Sequence, residues 1–417
     1  MKWLTAPLKE IAPGQAASIQ FSPDESVWHV TLDQIESNTG YVVNKRVGPA
    51  SGAGTSTYAF DEGNVLYSKL RPYLNKVLCP NEPGIATTEL VPLRPRKELV
   101  SREYLTYYLR SPYFLQFARV AVAGVKMPRI IMPKFWSLQV PLPPPSEQRR
   151  IVEILSKGDE LRRKRADADD RAPRILASLF YKIFGDPAVN PRSWEFRILG
   201  ETGATVRYGL GQPPAAAADG IPLIRATNVS AGRILRDDML YVDPNEIPPG
   251  RNAYLRAEEV IVVRTGAYTG DVAQVTKKWE GAVAGYDLVV SPGDLFLGEF
   301  IEAYLLTPFI QKGHFANLKA RAGQPHLNAD QVSETPIPMV PMEKQRHFAS
   351  CVNLSRAIRD QSERGRERLL SLFDLLLYQA FSGELTRTWR EAHMRDLLAE
   401  MEQQAKLLNI PKEALLC

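Results

Sequence analysis

The sequence predicts an α+β protein built by internal duplication: two similar strand-rich domains separated by two long helices that pair antiparallel as a coiled coil about a pseudo-twofold axis. Three observations lead there. A proline-rich run into a long charged helix occurs twice, as PLPPPSEQRRIVEIL from Pro141 and as PIPMVPMEKQRHFAS from Pro336. The Gln148–Arg149 pair of the first run recurs as Gln345–Arg346, and each Gln is followed by a Tyr at one distance, 181 − 148 = 378 − 345 = 33. Paired helices demand such constancy, whereas loops tolerate insertion. Finally, 417 residues exceed what one core organises, and the repeat makes two domains the natural division.

In chain order, residues 1–140 read as the first domain. Val27–Val30, Asn64–Tyr67 and Thr88–Leu93 are short apolar runs between Gly, Pro and Asn, the pattern of strands and turns. Ser101–Ala118 reads as a helix turned at Ser111-Pro112, because the residue before proline disfavours helix. Residues 141–184 are the central helical spacer, and residues 185–335 repeat the order of the first domain. GNVLYSKLRPYLNKV from Gly63 corresponds to EEVIVVRTGAYTGDV from Glu258, matching Lys69 to Arg264 and Tyr73 to Tyr268. An acidic strand follows in each copy (Glu89-Leu90-Val91, Asp287-Leu288-Val289), then a helix broken at Ser111-Pro112 or Thr307-Pro308, then a basic, turn-rich loop.

Residues 336–384 are the distal helical spacer. Aligning the copies by 345 − 148 = 197 pairs Ile154 with Cys351, Leu161 with Ile358, Ala168 with Gly365 and Ile175 with Leu372, a seven-residue series expected to form the seam. Ala168 and Gly365 would then let the backbones approach. Pro173 predicts a kink or break near Ala172. Gly383 marks a helix stop, and in the tail, 385–417, Thr388–Leu408 reads as one further amphipathic helix.

Composition narrows the function. Hydrophobic and charged contents of 44% and 24% are those of a globular protein, no apolar run is long enough to span a bilayer, and the opening MKWLTAPLKE lacks a signal-peptide core, so a cytoplasmic protein is expected. Cys79 and Cys351 read as small buried hydrophobes and Cys417 as an exposed thiol, with no metal-ligand pair or disulfide framework. There is no Gly-Lys dipeptide for a phosphate loop, no Glu-x-Lys, no Asn-Pro-Pro-aromatic run, and the five histidines show no paired spacing. The sequence therefore offers no catalytic residues, no metal site and no cofactor site.

What it does offer is cations, amides and aromatics in turn-rich stretches. In the first domain these are Lys45, Arg46, Lys69, Arg71, Tyr73, Lys126 and Arg129; in the second, Arg225, Asn228, Arg264, Tyr268, Lys277, Arg321, Gln324 and His326. Arg and Asn form bidentate bonds to base edges, and Lys holds phosphates. Each alone is more often solvated surface, so the grouping carries the argument, with Lys69 and Arg264 foremost by their equivalent placement. The net charge of +5 permits a nucleic-acid partner without requiring one. Leu161–Arg165 alternates with acidic residues and reads as a solvated or partner-facing helix.

VPLPPPSEQRRIVEIL, LFYKIFGDPAVNPRSWEFRILGE, PIPMVPMEKQR and AFSGELTRTWRE resemble the helical regions of type I restriction-modification specificity subunits, and the likeness in layout covers nearly the whole chain. The resemblance implies two target recognition domains reading a bipartite site in double-stranded DNA. It implies helices that fix the gap and dock two adenine-N6 methyltransferase subunits, with two translocase-nuclease restriction subunits completing the complex. S-adenosylmethionine, ATP and magnesium would belong to those partners, and this chain would be non-catalytic. The alternative is the recognition part of an enzyme with catalytic activity of its own.

Overall fold

The computed structural model describes residues 3–248, 252–319 and 326–411. Both long helices form, as Pro145–Phe184 and Met342–Ser382, and the first continues through Pro173 without a break. The chain divides into two compact units, one made of residues 1–165 with 364–417 and the other of residues 166–363. Each unit thus contains one strand-rich domain and a segment of each long helix.

In the first unit, a four-stranded sheet is ordered Arg46–Pro49, Ser26–Val30, Gly84–Thr87, Thr57–Phe60, and a three-stranded sheet Val77–Leu78, Val65–Ser68, Leu90–Leu93. The broken helix is present as Arg102–Arg110 and Pro112–Val120, with Ser111 closing one and capping the other by accepting from the Phe114 N–H. The helix segments pack on this domain through Ile151 and Leu155 from the first and Phe373, Leu377, Ala380 and Phe381 from the second, in one core with Tyr104 and Tyr108. Burying a side chain of this size contributes roughly 1.5–3 kcal/mol. Here the segments run antiparallel: Glu147 bonds Thr386, whereas Gly158 lies against Phe373.

The second unit repeats this plan with the strand numbers exchanged: the sheet that holds Val260–Val262, equivalent to Val65–Ser68, has four strands ordered Thr205–Tyr208, Leu288–Ser291, Val260–Val262, Val272–Gln274, and the other has three, Leu240–Val242, Ala216–Ile224, Val283–Ala284. Its helix segments supply Phe180 and Phe184 from the first and Phe348 and Val352 from the second, around Phe300.

The recurring glutamine has a physical reason. Gln148 donates its amide to the carbonyls of Leu99 and Pro143 at 2.8 and 2.9 Å and accepts from the Ser101 N–H at 2.9 Å. Gln345 donates to Leu295 and Val340 and accepts from the Leu297 N–H, all at 2.9 Å. A buried site with two acceptors and one donor requires a carboxamide; neither a carboxylate nor an amine satisfies all three.

The expected seam is corrected. Leu161, Ile175, Ile358 and Leu372 are 57%, 65%, 59% and 52% exposed, and a Cβ on Gly365 would meet nothing within 4 Å. The buried contacts lie instead at Ile151 and Leu155 and their equivalents Phe348 and Val352, with Phe373, Leu377 and Phe381 corresponding to Leu176, Phe180 and Phe184. The offset of 197 is kept; the spacing along each face is four, the ordinary helical stripe rather than a heptad. The tight contact falls at Gly158, on which the Phe373 ring packs so closely that a Cβ would stand 2.9 Å from it.

The tail forms two helices, Arg387–Ala392 and Met394–Leu407, separated at His393, instead of one. It is tied to the first unit by Glu147, fully buried, which accepts from Trp3 Nε1, Thr386 Oγ1 and Arg390 Nε at 2.9, 2.6 and 2.7 Å. Cys79 and Cys351 are free and partly buried, and Cys417 lies outside the described residues. No described helix is long and apolar enough to cross a membrane.

Candidate nucleic-acid interface

In the first unit, the strand Val65–Ser68 delivers Lys69 into a loop that is zipped to the segment before Ile130. Arg71 donates its N–H to Pro128 O at 2.7 Å, and Ile130 donates to Lys69 O at 2.9 Å. Arg71 and Asn75 take left-handed backbone conformations around the turn Pro72–Leu74, turning the half-exposed Tyr73 outward. Lys69, Arg71, Tyr73 and Arg129 are thereby gathered into one patch, and the exposed Lys126 sits in the turn that leads to Arg129. Arg129 forks onto Glu89 at 2.9 and 3.2 Å, and that hydrogen bond holds the Glu89 carboxyl below its ordinary range.

Lys45 and Arg46 lie elsewhere, on the edge of the four-stranded sheet. Lys45 pairs with Glu82 and stands 5.1 Å from the Trp28 ring, and Arg46 pairs with Asp33. Arg46 borders a cavity of about 260 Å³ that it shares with His29, Thr31 and Thr57.

The second unit builds the equivalent loop around Arg264. Leu327 donates its N–H to Arg264 O at 2.9 Å, and Thr265 pairs with His326 as Leu70 pairs with Arg129. Lys69, Arg129 and Glu89 thus correspond to Arg264, His326 and Asp287. The Arg264 guanidinium lies between two rings, 4.9 Å from Tyr208 and 4.7 Å from Tyr286, both more than 40% exposed. Asp287, 2% exposed, accepts the Arg264 N–H at 3.0 Å; burial raises its pKa to about 6 against the pull of that N–H and of the guanidinium.

Tyr268 projects from the same loop at 50% exposure, and Arg225 is brought beside Tyr286 by the Gly285 N–H bond to Ile224 O. Lys277 is exposed at the far end of the hairpin and does not join them. Asn228 is a correction: it is fully buried, its carboxamide bonded to the Arg225 N–H and the Leu235 and Asp237 carbonyls, so it shapes the Arg225 loop instead of meeting a base. Arg321 and Gln324 lie outside the described residues.

Sequence reasoning passed over Tyr208 and Tyr286. Their signal was local: each tyrosine adjoins a glycine, Gly209 or Gly285, and a Cβ on Gly209 would stand 2.4 Å from the Gly285 carbonyl oxygen. Among the described residues, no three His, Cys, Asp or Glu side chains converge on a metal-sized site.

Residues 51–167 match the family described as the type I restriction modification DNA specificity domain. Among curated proteins, the chain is 24% identical over 348 residues to the type I restriction enzyme EcoKI specificity subunit of Escherichia coli (strain K12), covering 76% of this chain and 72% of that one. It is 21% identical over 370 residues to the EcoBI specificity subunit of Escherichia coli, covering 80% and 76%. Among solved structures, the type I restriction-modification S subunit from M. genitalium aligns with a TM-score of 0.57 at 14% identity, over 91% of this chain and 96% of that one. A chain from a structure describing assembly and conformational transition of the type I R-M system aligns with a TM-score of 0.56 at 18% identity, over 92% and 98%. Over most of its length the chain is therefore similar to type I restriction-modification specificity subunits.

Proposed function

We propose that this chain reads a bipartite target in double-stranded DNA, one part with each unit, and contributes no catalysis itself. The observation that carries this reading is the duplicated loop: Lys69, Arg129 and Glu89 recur as Arg264, His326 and Asp287, each set on a domain anchored to a long helix by the same glutamine. Duplicated placement with changed side chains is what two readers of different sequences require. Lys69, Arg71, Tyr73, Lys126 and Arg129 would face DNA in the first unit, and Arg225, Arg264, Tyr268 and His326 in the second. Lys45, Arg46 and Lys277 would make separate backbone contacts.

The helices keep an apolar face turned to solvent. In the second unit it comprises Ile175, Leu354 and Ile358, and in the first Leu161, Leu372 and Leu375, each from 49% to 65% exposed. Such faces suit partner helices, and here they would dock two adenine-N6 methyltransferase subunits, joined by two restriction subunits in a cytoplasmic complex. S-adenosylmethionine, ATP and magnesium would be bound by those partners.

The test is binding of the assembled methyltransferase complex to its own site. Lys69→Ala and Arg264→Ala are each expected to weaken it while leaving assembly intact. Unchanged affinity and sequence preference in both variants would remove the duplicated loop as the reader.

A further inference from the structure

Arg264 differs from its equivalent Lys69 in how it is held. The rings of Tyr208 and Tyr286 both lie against its guanidinium, at 4.9 and 4.7 Å. Its Nε donates to Leu327 O at 3.2 Å, and the Tyr208 hydroxyl is itself fixed by accepting the Ala329 N–H at 3.2 Å. Main-chain bonds to Asp287 and Leu327 fix the residue at its root. Stacking uses the faces of a guanidinium and leaves its edge free. Among the described residues, no hydrogen bond is made by either terminal nitrogen of Arg264.

A planar edge of two N–H donors, held before any ligand arrives, has few complements. On a DNA base it matches guanine, whose O6 and N7 both accept in the major groove. Adenine sets its N6 amino donor against one of the two N–H groups, cytosine presents a donor, and thymine a single acceptor beside a methyl group. Because a guanidinium carries donors and no acceptor, the edge cannot accept from adenine. Lys69 in the first unit is a point charge on a flexible stem and imposes no such pattern.

We infer that the second unit reads a guanine through the edge of Arg264, with Tyr208 and Tyr286 as the positioning residues that hold its plane. The inference rests on the DNA-reading function proposed above and names one base of the target. A freely rotating arginine would also contact guanine, but it would fit a phosphate equally well; the two-ring clamp is what favours the base.

The experiment uses the assembled methyltransferase complex. Methylation mapping of a host carrying it gives the target, and duplexes are then made with 7-deazaguanine, which lacks the N7 acceptor, at each guanine in turn. At one guanine the substitution is expected to weaken binding about five- to tenfold, since a bidentate pair discriminates by more than that when lost whole. The Arg264→Ala complex should bind natural and 7-deaza duplexes equally at that position and show relaxed methylation there. Tyr286→Leu should reduce the preference for guanine over adenine at the same position while leaving the salt dependence of binding unchanged, a readout that a general loss of folding would not produce.

Three results would overturn the inference: no guanine whose N7 matters, a 7-deaza effect that survives Arg264→Ala, or an Arg264→Ala complex weakened equally on all sequences with a shallower salt dependence, the mark of a phosphate contact. A complex that binds every duplex alike refutes instead the underlying DNA-reading function, so the two failures are distinguishable.

Discussion

Replacing Asp159 tests how the first recognition domain is held on its helix. Arg110, at the end of the domain helix Arg102–Arg110, forks onto the Asp159 carboxylate of the central helix at 3.0 and 3.3 Å, and the two residues are only 6% and 8% exposed. Arg162 adds a bond to the same carboxylate at 3.0 Å while its guanidinium stacks 4.4 Å from the Phe373 ring. Tyr41, from the domain, donates its hydroxyl to Asp159 O at 2.8 Å. Asp159→Ala leaves the Arg110 charge buried without a counter-ion, at a cost of about 3–5 kcal/mol. The local readout is hydrogen exchange of amides in Arg102–Arg110. At about 1.36 kcal/mol per tenfold, their protection should fall on the order of a hundred- to several-thousand-fold. Replacing the whole triad with apolar side chains in one variant (Arg110→Met, Asp159→Leu, Arg162→Met) should recover most of the loss, because removing every member leaves no stranded charge. If Asp159→Ala leaves protection unchanged, the triad does not hold the domain and the reasoning fails.

Gly158 and Gly365 should respond to alanine with opposite signs in thermal unfolding. Gly365→Ala meets nothing and should stabilise by roughly 0.5–1 kcal/mol through helix propensity, whereas at Gly158 the added Cβ stands 2.9 Å from the buried Phe373 ring and overpacking should destabilise by about 1–3 kcal/mol. Asp287 gives a pH signature. Its folded pKa of about 6 lies above the ordinary 3.8, so the folded state binds more protons between those values and its contribution to stability falls as pH rises through that window, by about 3 kcal/mol in all. Comparing Asp287→Asn with the parent by denaturant unfolding from about pH 4 to 7 should show that slope removed; parallel curves would contradict it. Glu89 has the opposite sign: lowered by Arg129, its contribution is present above the unfolded pKa and is lost as pH falls.

The duplication was legible because it rests on residues without substitutes. Gln148 and Gln345 each satisfy two carbonyls and one N–H, so the sequence keeps them and their spacing. The broken helix at Ser111-Pro112 was legible because proline and a capping serine act locally. The seam was misassigned because the solvent-facing stripe through Leu161 and Ile358 is also apolar and also regular; periodicity reports an apolar face without saying what covers it. In the interface, the cations were visible, but their settings were not. That Arg129 is forked onto Glu89, that Asn228 is consumed by its own loop and that Arg264 lies between two tyrosines are facts of the folded chain, set by partners that no local pattern announces.

The same helix position also shows how duplication can keep geometry while reversing charge. Asp159 corresponds to Arg356, since 356 − 159 = 197, and where Asp159 takes Arg110 from its domain, Arg356 takes Glu302, which is buried and whose pKa burial raises against the pull of that arginine. Arg356 also bonds Gln274, so the reversed pin reaches two elements of the second domain. Each domain is therefore keyed to its own helix segment: a chain carrying the first domain in both places would bury Arg110 facing Arg356, two like charges with no carboxylate between them. Such a chimera is expected to lose stability by several kcal/mol in its second unit. Arg356→Asp in the chimera should restore it, although the same change in the natural chain, by setting Asp against Glu302, should be destabilising. Calorimetry of the four proteins decides the matter, and a chimera indifferent to Arg356→Asp would mean that the domains are held by their apolar cores alone.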